Sequence, residues 1–592
     1  MPPFAEMAVL HLYVLAASDR LANLVQWASL LVSLVAVSLI AARLDVGRSG
    51  QAFAVLFAAT LPMGILQAAS TQNDYVTGLW VLCLAYYAVK AHLIGLRGHE
   101  WVLAAIATGL GMLTKATFYG YALPFVIWLG IATVRRRRWL AAGCFTIVGM
   151  VLVALLNAGA WSRNLRAYQS PLGPSQAIAA HGNQAWGWKV IVSNAVRGLT
   201  LHLATPWGDA NGLIRQAVVT LHQWIGLDVN DPRTTMGEYR VKRSFHEDYA
   251  GNPFHALLVP VSLLVLVWPM RRQPGGEAAT SEAGPVQSGR MMSAAVIASA
   301  ATYFLLYKWQ ATGSRLQLGL FLLWAPVVGD AFARIRGVLP WSRLAGGLQL
   351  AAVLVLTGAS LRPLLMNPSR PLLPRSSDGI SLWNTPRAEL LFINAPEFMA
   401  GYQAVIDVAL HSGCQAIGLK IDSSHPEYPF WALLAPPGSG VRLEHVDVPP
   451  HAAGRPPPAS CAPSCAPSAV RPSSVGWSCG STSEATTACI GPPPTRPSTG
   501  SCPLRVYSSY LDSSSRRRSR SSPLSTSNAP RRDSLASLAS AWRSASVEAR
   551  GTTDHFPQCG QRSSLPTTRF GLNPWRENGN PQRGQTAPPA TP

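Results

Sequence analysis

The residues best suited to chemistry are few, and long apolar runs separate them. Thr71-Gln-Asn-Asp74 lies between two such runs. A carboxylate there can orient sugar hydroxyls or hold a divalent cation at a membrane surface; Asp74 can equally cap the helix that begins near Tyr75. Lys115, after Gly109-Leu-Gly-Met-Leu-Thr114, is either a point charge for the phosphate of a lipid-linked donor or a side chain snorkelling to headgroups. In Trp161-Ser-Arg-Asn164, Arg163 can grip phosphate or pyrophosphate with two N–H bonds, with Asn164 beside it. Phe245-His-Glu-Asp-Tyr-Ala-Gly-Asn252 and His255 bring His246, Glu247, Asp248 and His255 close in sequence. Their spacing is not a standard metal-ligand pattern, so a solvated polar loop is the simpler reading. Lys308 and Arg315 can also meet a phosphate, and snorkelling accounts for them equally well.

The intervening runs have the length that crosses a bilayer, roughly 17 to 25 residues. They fall near 23–42, 51–69, 76–93, 101–115, 119–134, 139–160, 254–270, 292–308, 316–334 and 343–361. Lipid cannot satisfy bare backbone groups, so each is expected to be a helix. The pattern predicts an all-α polytopic membrane protein with about ten transmembrane helices. Basic residues mark alternate connections: Arg43 and Arg48, Lys90 and Arg97, Arg135 to Arg138, Arg271, Arg272 and Arg290, then Arg334, Arg336 and Arg343. The positive-inside rule puts these on the cytoplasmic side. The loops 70–75, 116–118, 161–253 and 309–315, and everything after 361, then face outward. Lys115 breaks the charge rule, which favours a functional role. Residues 1–22 must also lie outside with no preceding span to carry them, so the reading frame is expected to start late.

The net charge of +21 comes from short Arg clusters between spans and from an Arg-rich tail. No recognisable nucleic-acid module accompanies it, so nucleic acid is not an expected partner. The start lacks the basic region of a secretory signal peptide. Cys461 and Cys465 have no partner pair at zinc spacing. No cofactor is fixed by the sequence; a divalent cation is the one the carboxylates admit.

Residues 362–450 read as a small soluble α/β outer domain. Ala388-Glu-Leu-Leu-Phe-Ile-Asn394 and Ala416-Ile-Gly-Leu-Lys-Ile421 look like strands, and 402–411 has helical spacing. From 451 to 592 the chain is rich in Ser, Pro and Arg and cannot bury enough apolar surface to offset chain entropy. It reads as a disordered basic tail or as out-of-frame translation of GC-rich DNA, and its scattered cysteines favour the second.

Three stretches together resemble a known family: Ser18-Asp-Arg-Leu-Ala-Asn-Leu-Val-Gln-Trp27, Leu61-Pro-Met-Gly-Ile-Leu-Gln-Ala-Ala-Ser-Thr-Gln-Asn-Asp74 and Gly109-Leu-Gly-Met-Leu-Thr-Lys115. They are similar to bacterial membrane glycosyltransferases of family 39, over roughly residues 1–450. These share the C-type glycosyltransferase fold with dolichyl-phosphate-mannose protein mannosyltransferases and lipid A aminoarabinose transferases. Pro2-Pro3 resembles the double proline that closes the family's first outer loop. The resemblance implies an inverting transfer at the outer leaflet of the bacterial inner membrane, from a polyprenyl-phosphate sugar to a cell-envelope glycan, lipid or protein. By position Lys115 resembles the family's phosphate-binding lysine, and Asp74, next to Asn73, its second outer acidic residue. The family's first helix and its catalytic acidic motif precede the double proline; Glu6 and Asp19 do not match that motif. An N-terminal piece is therefore expected to be missing, and the first catalytic acid with it. Two other classes stay open: a transporter or flippase of lipid-linked sugars, and a non-catalytic membrane scaffold.

Overall fold

The computed structural model describes residues 2–136, 139–267, 285–338, 342–374, 379–445 (412, 414, 422–424 and 437 excepted) and 504–507. Each apolar run is helical over most of its described length, as backbone hydrogen bonding in lipid requires. In chain order the elements begin α1 (Phe4–Ala16), α2 (Leu24–Arg43), α3 (Arg48–Ala59), α4 (Pro62–Ala68), α5 (Asp74–Leu93), α6 (Gly98–Met112), α7 (Thr117–Arg135) and α8 (Trp139–Tyr168). Three helices and a two-residue strand follow: α9 (Ser175–His181), α10 (Trp188–Leu203), α11 (Gly208–Ile225) and β1 (Thr235–Met236). The apolar series resumes with α12 (Pro253–Val267), α13 (Pro285–Leu306), β2 (Trp309–Gln310), α14 (Gly313–Leu316), α15 (Leu318–Val338) and α16 (Ser342–Leu365).

The helices make an all-α polytopic membrane protein, as expected. Among the described residues seven helices are long and apolar enough to cross a membrane, or eight if α3 and α4 form one broken span. The helix α6 has 15 residues. That is about 22 Å, less than the roughly 30 Å of hydrocarbon it would have to cross. The axes of α3 and α4 differ by 65°. Pro62, first in α4, has no N–H to continue the ladder, and its ring displaces the preceding turn.

The bundle packs around α15, whose apolar stretch is 83% buried, against 6% for that of α8. So α15 is the central helix and α8 a peripheral one. The closest crossing is between α3 and α15. A Cβ on Gly329 would lie 2.4 Å from the Gly50 carbonyl oxygen, so only glycine fits. One turn away Phe53 and Phe332 stack with centroids 3.8 Å apart.

The segment expected as an outer loop from residue 161 begins later, because α8 continues to Tyr168. Between α9 and α12, Arg197 on α10 is fully buried. It is satisfied by the carbonyls of Val229 (2.6 Å) and Thr234 and by the Asn194 amide oxygen (2.7 Å). It ties α10 to the strand β1, which pairs with β2.

The C-terminal domain contains α17 (Arg387–Leu390), α18 (Met399–His411), β3 (Ala416–Lys420), α19 (Tyr428–Leu434), β4 (Arg442–His445) and β5 (Leu504–Tyr507). Its parallel sheet runs in the order β4-β3-β5. The helix near 402–411 and the strand near 416–421 are where the spacing put them. The strand expected at 388–394 is instead the short helix α17 followed by turns: Pro386 at its N-cap and Pro396 just beyond leave no room for a ladder. Arg387 and Tyr428 both bond the Asp19 carboxylate, between α1 and α2.

Candidate active site

Four connections converge at one end of the bundle: residues 69–73 before α5, the turn at 113–116 between α6 and α7, the loop 245–252 before α12, and α14. Each is built by a local rule. Glycines 109 and 111, in the last turn of α6, sit where neither tolerates a side chain. A Cβ on Gly111 would lie 2.2 Å from the Phe118 ring, and one on Gly109 would lie 2.7 Å from Leu156. The chain then turns at Thr114 and presents Lys115.

Below α3, the bent α4 docks on the loop 245–252. Gln67 donates to the Glu247 carbonyl at 2.7 Å, and the Asn252 amide oxygen accepts from the Met63 N–H at 2.9 Å. The Asn252 N–H in turn donates to His202 Nδ1 at 3.2 Å, which leaves His202 Nε2–H for Gln317 Oε1 at 3.2 Å. Burial pushes the His202 imidazole down to about 4, offset in part by its bond to Gln317, so it is neutral near pH 7.

Asp74 does not cap its own helix. The N-cap of α5 is Asn73, with no side-chain cap. The free N–H groups of Tyr75 and Val76 are taken by Gln26 Oε1 at 3.0 and 3.3 Å. The Asp74 carboxylate is buried and turned to Lys115, with Oδ1 at 2.5 Å from Nζ. Its Oδ2 is buried without a hydrogen-bond partner. The start of α5 lends it a partial positive potential. Lys115 is held below the usual lysine range by burial; Asp74 opposes that shift, the Arg315 guanidinium adds to it, and Glu6 opposes it. Glu6 on α1 also accepts from Asn73 Nδ2 at 3.0 Å.

Arg315 on α14 donates to Asp248 Oδ1 at 2.9 Å and to Gln72 Oε1, and Gln72 Nε2 donates to Asp248 at 3.0 Å. The Arg315 Nε is buried with no acceptor. Next to this pair Glu247 receives Arg370 at 2.5 Å and Asn394 at 3.3 Å. The result is a cluster in which Lys115 and Arg315 each face one carboxylate, with two charged atoms, Asp74 Oδ2 and Arg315 Nε, unfinished.

The fold brings together Asp74, Asn73, Lys115, Asp248 and Arg315, with Glu247 adjoining. It does not join the other sequence candidates to them. Arg163 is exposed on α8, and Asn164 is buried with its amide donating to the Pro171 carbonyl at 3.0 Å. His255 is buried, with Nε2 3.1 Å from Thr60 Oγ1. Lys308 is buried beside β2, its N–H donating to the His181 carbonyl at 2.9 Å. Gln26, Gln72 and Arg370 were not singled out by sequence. For Gln26 the signal is a polar residue inside an apolar span; for Arg370 there is none.

Among the described residues no three His, Cys, Asp or Glu side chains form a group fit for a metal ion. Asp74, Asp248 and Glu247 each face a cation instead, so the residues do not fit a divalent cation and no chemistry is routed through one. A shallow groove of about 460 Å³ on α11, lined by Leu213, Gln216, Ala217, Thr220, Leu221 and Trp224, contains none of these charged groups.

Residues 2–161 match the family model for dolichyl-phosphate-mannose-protein mannosyltransferase. The three resembling stretches lie within that range, and so do Asp74 and Lys115; Asp248 and Arg315 lie beyond it. The match is shorter than the 1–450 expected. No curated protein and no solved structure matches the chain. The mannosyltransferase family is one of membrane glycosyltransferases, and the apolar helices here make a multi-pass membrane protein in keeping with it.

Proposed function

We propose that the protein transfers a sugar from a polyprenyl-phosphate-linked donor to an acceptor in the cell envelope, a glycan, lipid or protein, at the outer face of the bacterial inner membrane. The observation that carries this reading is the buried Lys115–Asp74 pair beside Arg315, inside the stretch that resembles the mannosyltransferases. Two cations at one helix-bundle end suit a phosphodiester, and their present carboxylate partners occupy the places its oxygens would take.

Donor binding then exchanges partners. A phosphate oxygen replaces Asp74 on Lys115, and another replaces Asp248 on Arg315. The low dielectric of the site strengthens both contacts. Asp74, released and already holding one oxygen without a donor, accepts the proton of the acceptor hydroxyl. The acceptor oxygen attacks the anomeric carbon from the face opposite the phosphate. The bond from that carbon to the phosphate oxygen breaks, and polyprenyl phosphate leaves with the electron pair, held by Lys115 and Arg315. Transfer inverts the anomeric centre. Asn73, fixed by Glu6, orients sugar hydroxyls.

The test is sugar transfer from polyprenyl-phosphate donors by the full-length protein in proteoliposomes, with Lys115→Ala and Asp74→Asn as variants that keep their elution profile. Loss of transfer in both supports the reading. Absence of transfer by the unsubstituted protein across hexosyl and pentosyl donors would sink it.

A further inference from the structure

The loop that carries Glu247 and Asp248 holds a second group of cations that the transfer reaction does not use. The Arg243 guanidinium carbon lies 4.7 Å from the Phe245 ring centroid, and that of Arg362 lies 3.7 Å from the same centroid. Two like charges gathered on one ring repel each other, and a shared aromatic face compensates only in part. Three nearby arginines are neutralised, Arg240 by Glu238, Arg315 by Asp248 and Arg370 by Glu247, whereas the adjacent exposed Lys242 adds to the positive charge. Among the described residues Arg243 and Arg362 have no carboxylate partner, and both are exposed. A guanidinium held over a ring by cation–π attraction spends no N–H on it, and its N–H groups stay available to a phosphate.

Where this pair sits selects the source of the phosphate. Arg362 is in the last turn of α16, at the end of a helix long and apolar enough to span the bilayer. That is headgroup level. On the same turn Leu361 and Leu364 are 49% and 47% exposed, which offers acyl chains an apolar wall directly beside the charge. We infer that Arg243 and Arg362, stacked on Phe245, form a binding site for the headgroup phosphate of an anionic phospholipid in the membrane. Its Phe245 lies three residues from Asp248 along the chain, and the site does not depend on the transferase reading.

The measurement is phosphatidylglycerol binding to the full-length protein in phosphatidylcholine nanodiscs, followed by native mass spectrometry as the anionic fraction is raised. The double variant R243Q/R362Q is expected to lose more than about tenfold in affinity for one bound phosphatidylglycerol, at about fivefold per cation. F245L keeps both charges but removes the platform, and is expected to lose several-fold. R362K is expected to fall between wild type and R362Q. Equal phosphatidylglycerol retention by wild type and R243Q/R362Q would overturn the inference. If the double variant fails to fold, wild-type affinity in both F245L and R362K would overturn it equally. Displacement of the lipid by millimolar inorganic phosphate would overturn the lipid as the source and leave a site for soluble phosphate.

Discussion

The two ends of the helix bundle both carry buried ion pairs, but among the described residues the ion pairs of only one end leave charged atoms unfinished. At the end bearing Arg43 and Arg136, Lys90 pairs with Glu100 Oε1, and Glu100 Oε2 takes the Arg97 N–H at 2.9 Å. Arg334 makes two bonds to Asp330 one turn away on α15, at 3.0 and 2.8 Å. Arg136 donates to the Ala91 and His92 carbonyls at 3.0 and 2.9 Å. At the other end Asp74 Oδ2 and Arg315 Nε are buried without partners. A buried salt bridge is therefore no sign of a site by itself. An incomplete one is, because burying an unmet charge costs free energy that a ligand can recover.

This contrast can be broken by experiment. The largest effect is expected at the incomplete end. Lys115→Ala and Asp74→Asn should each reduce transfer by roughly 10²–10³-fold per folded protein in a donor-saturated assay. Arg315→Gln should cost about tenfold, seen mainly as a higher KM for the donor. The complete end should behave in the opposite way. Glu100→Ala leaves Lys90 buried and unpaired, and should lower stability by ~2 kcal/mol or more in thermal unfolding, while folded protein keeps its kcat. A drop in kcat without a drop in stability would erase the distinction.

Smaller effects sharpen it. Burial lowers the Lys115 pKa and Asp74 raises it in turn. Donor affinity should therefore fall at a pH below the ordinary lysine range. In Asp74→Asn that fall should move to still lower pH, because the opposing carboxylate is gone; in Lys115→Arg it should move up. Fluorescence titration of donor binding against pH reads both. For His202 the folded pKa of about 4 lies below the unfolded value near 6.5. The unfolded chain thus binds more protons between them, and stability should be whole above about pH 6.5 and decline as pH falls towards 4. His202→Gln should flatten that decline.

Part of this was legible in the sequence. Apolar runs locate the spans, and Lys115 stands out because it breaks the charge rule in a short connection. Asp74 was ambiguous as a helix cap, since the N–H groups at the start of its helix are taken by Gln26, 48 positions earlier. Arg315 was weighed no higher than Lys308. Its role rests on Gln72 and Asp248, which no local pattern links to it. The bend at Pro62 was missed within a run that reads as one span, because side-chain hydropathy is continuous across a break that is purely a backbone matter. The expected strand at 388–394 failed for the converse reason: β-prone residues lose to flanking prolines.

The broken span has a consequence for depth. The twelve residues of α3 rise only about 18 Å before the turn at Pro62, against roughly 30 Å of hydrocarbon. The remaining two fifths or so is filled by the tilted α4 and by the polar side chains of Gln67, Asn252 and His255 rather than by a continuous helix. The backbone break thus sets polar groups below the level of the headgroups. On the proposed function, the phosphate of the lipid carrier meets them by sinking slightly, without lifting its chain out of the bilayer.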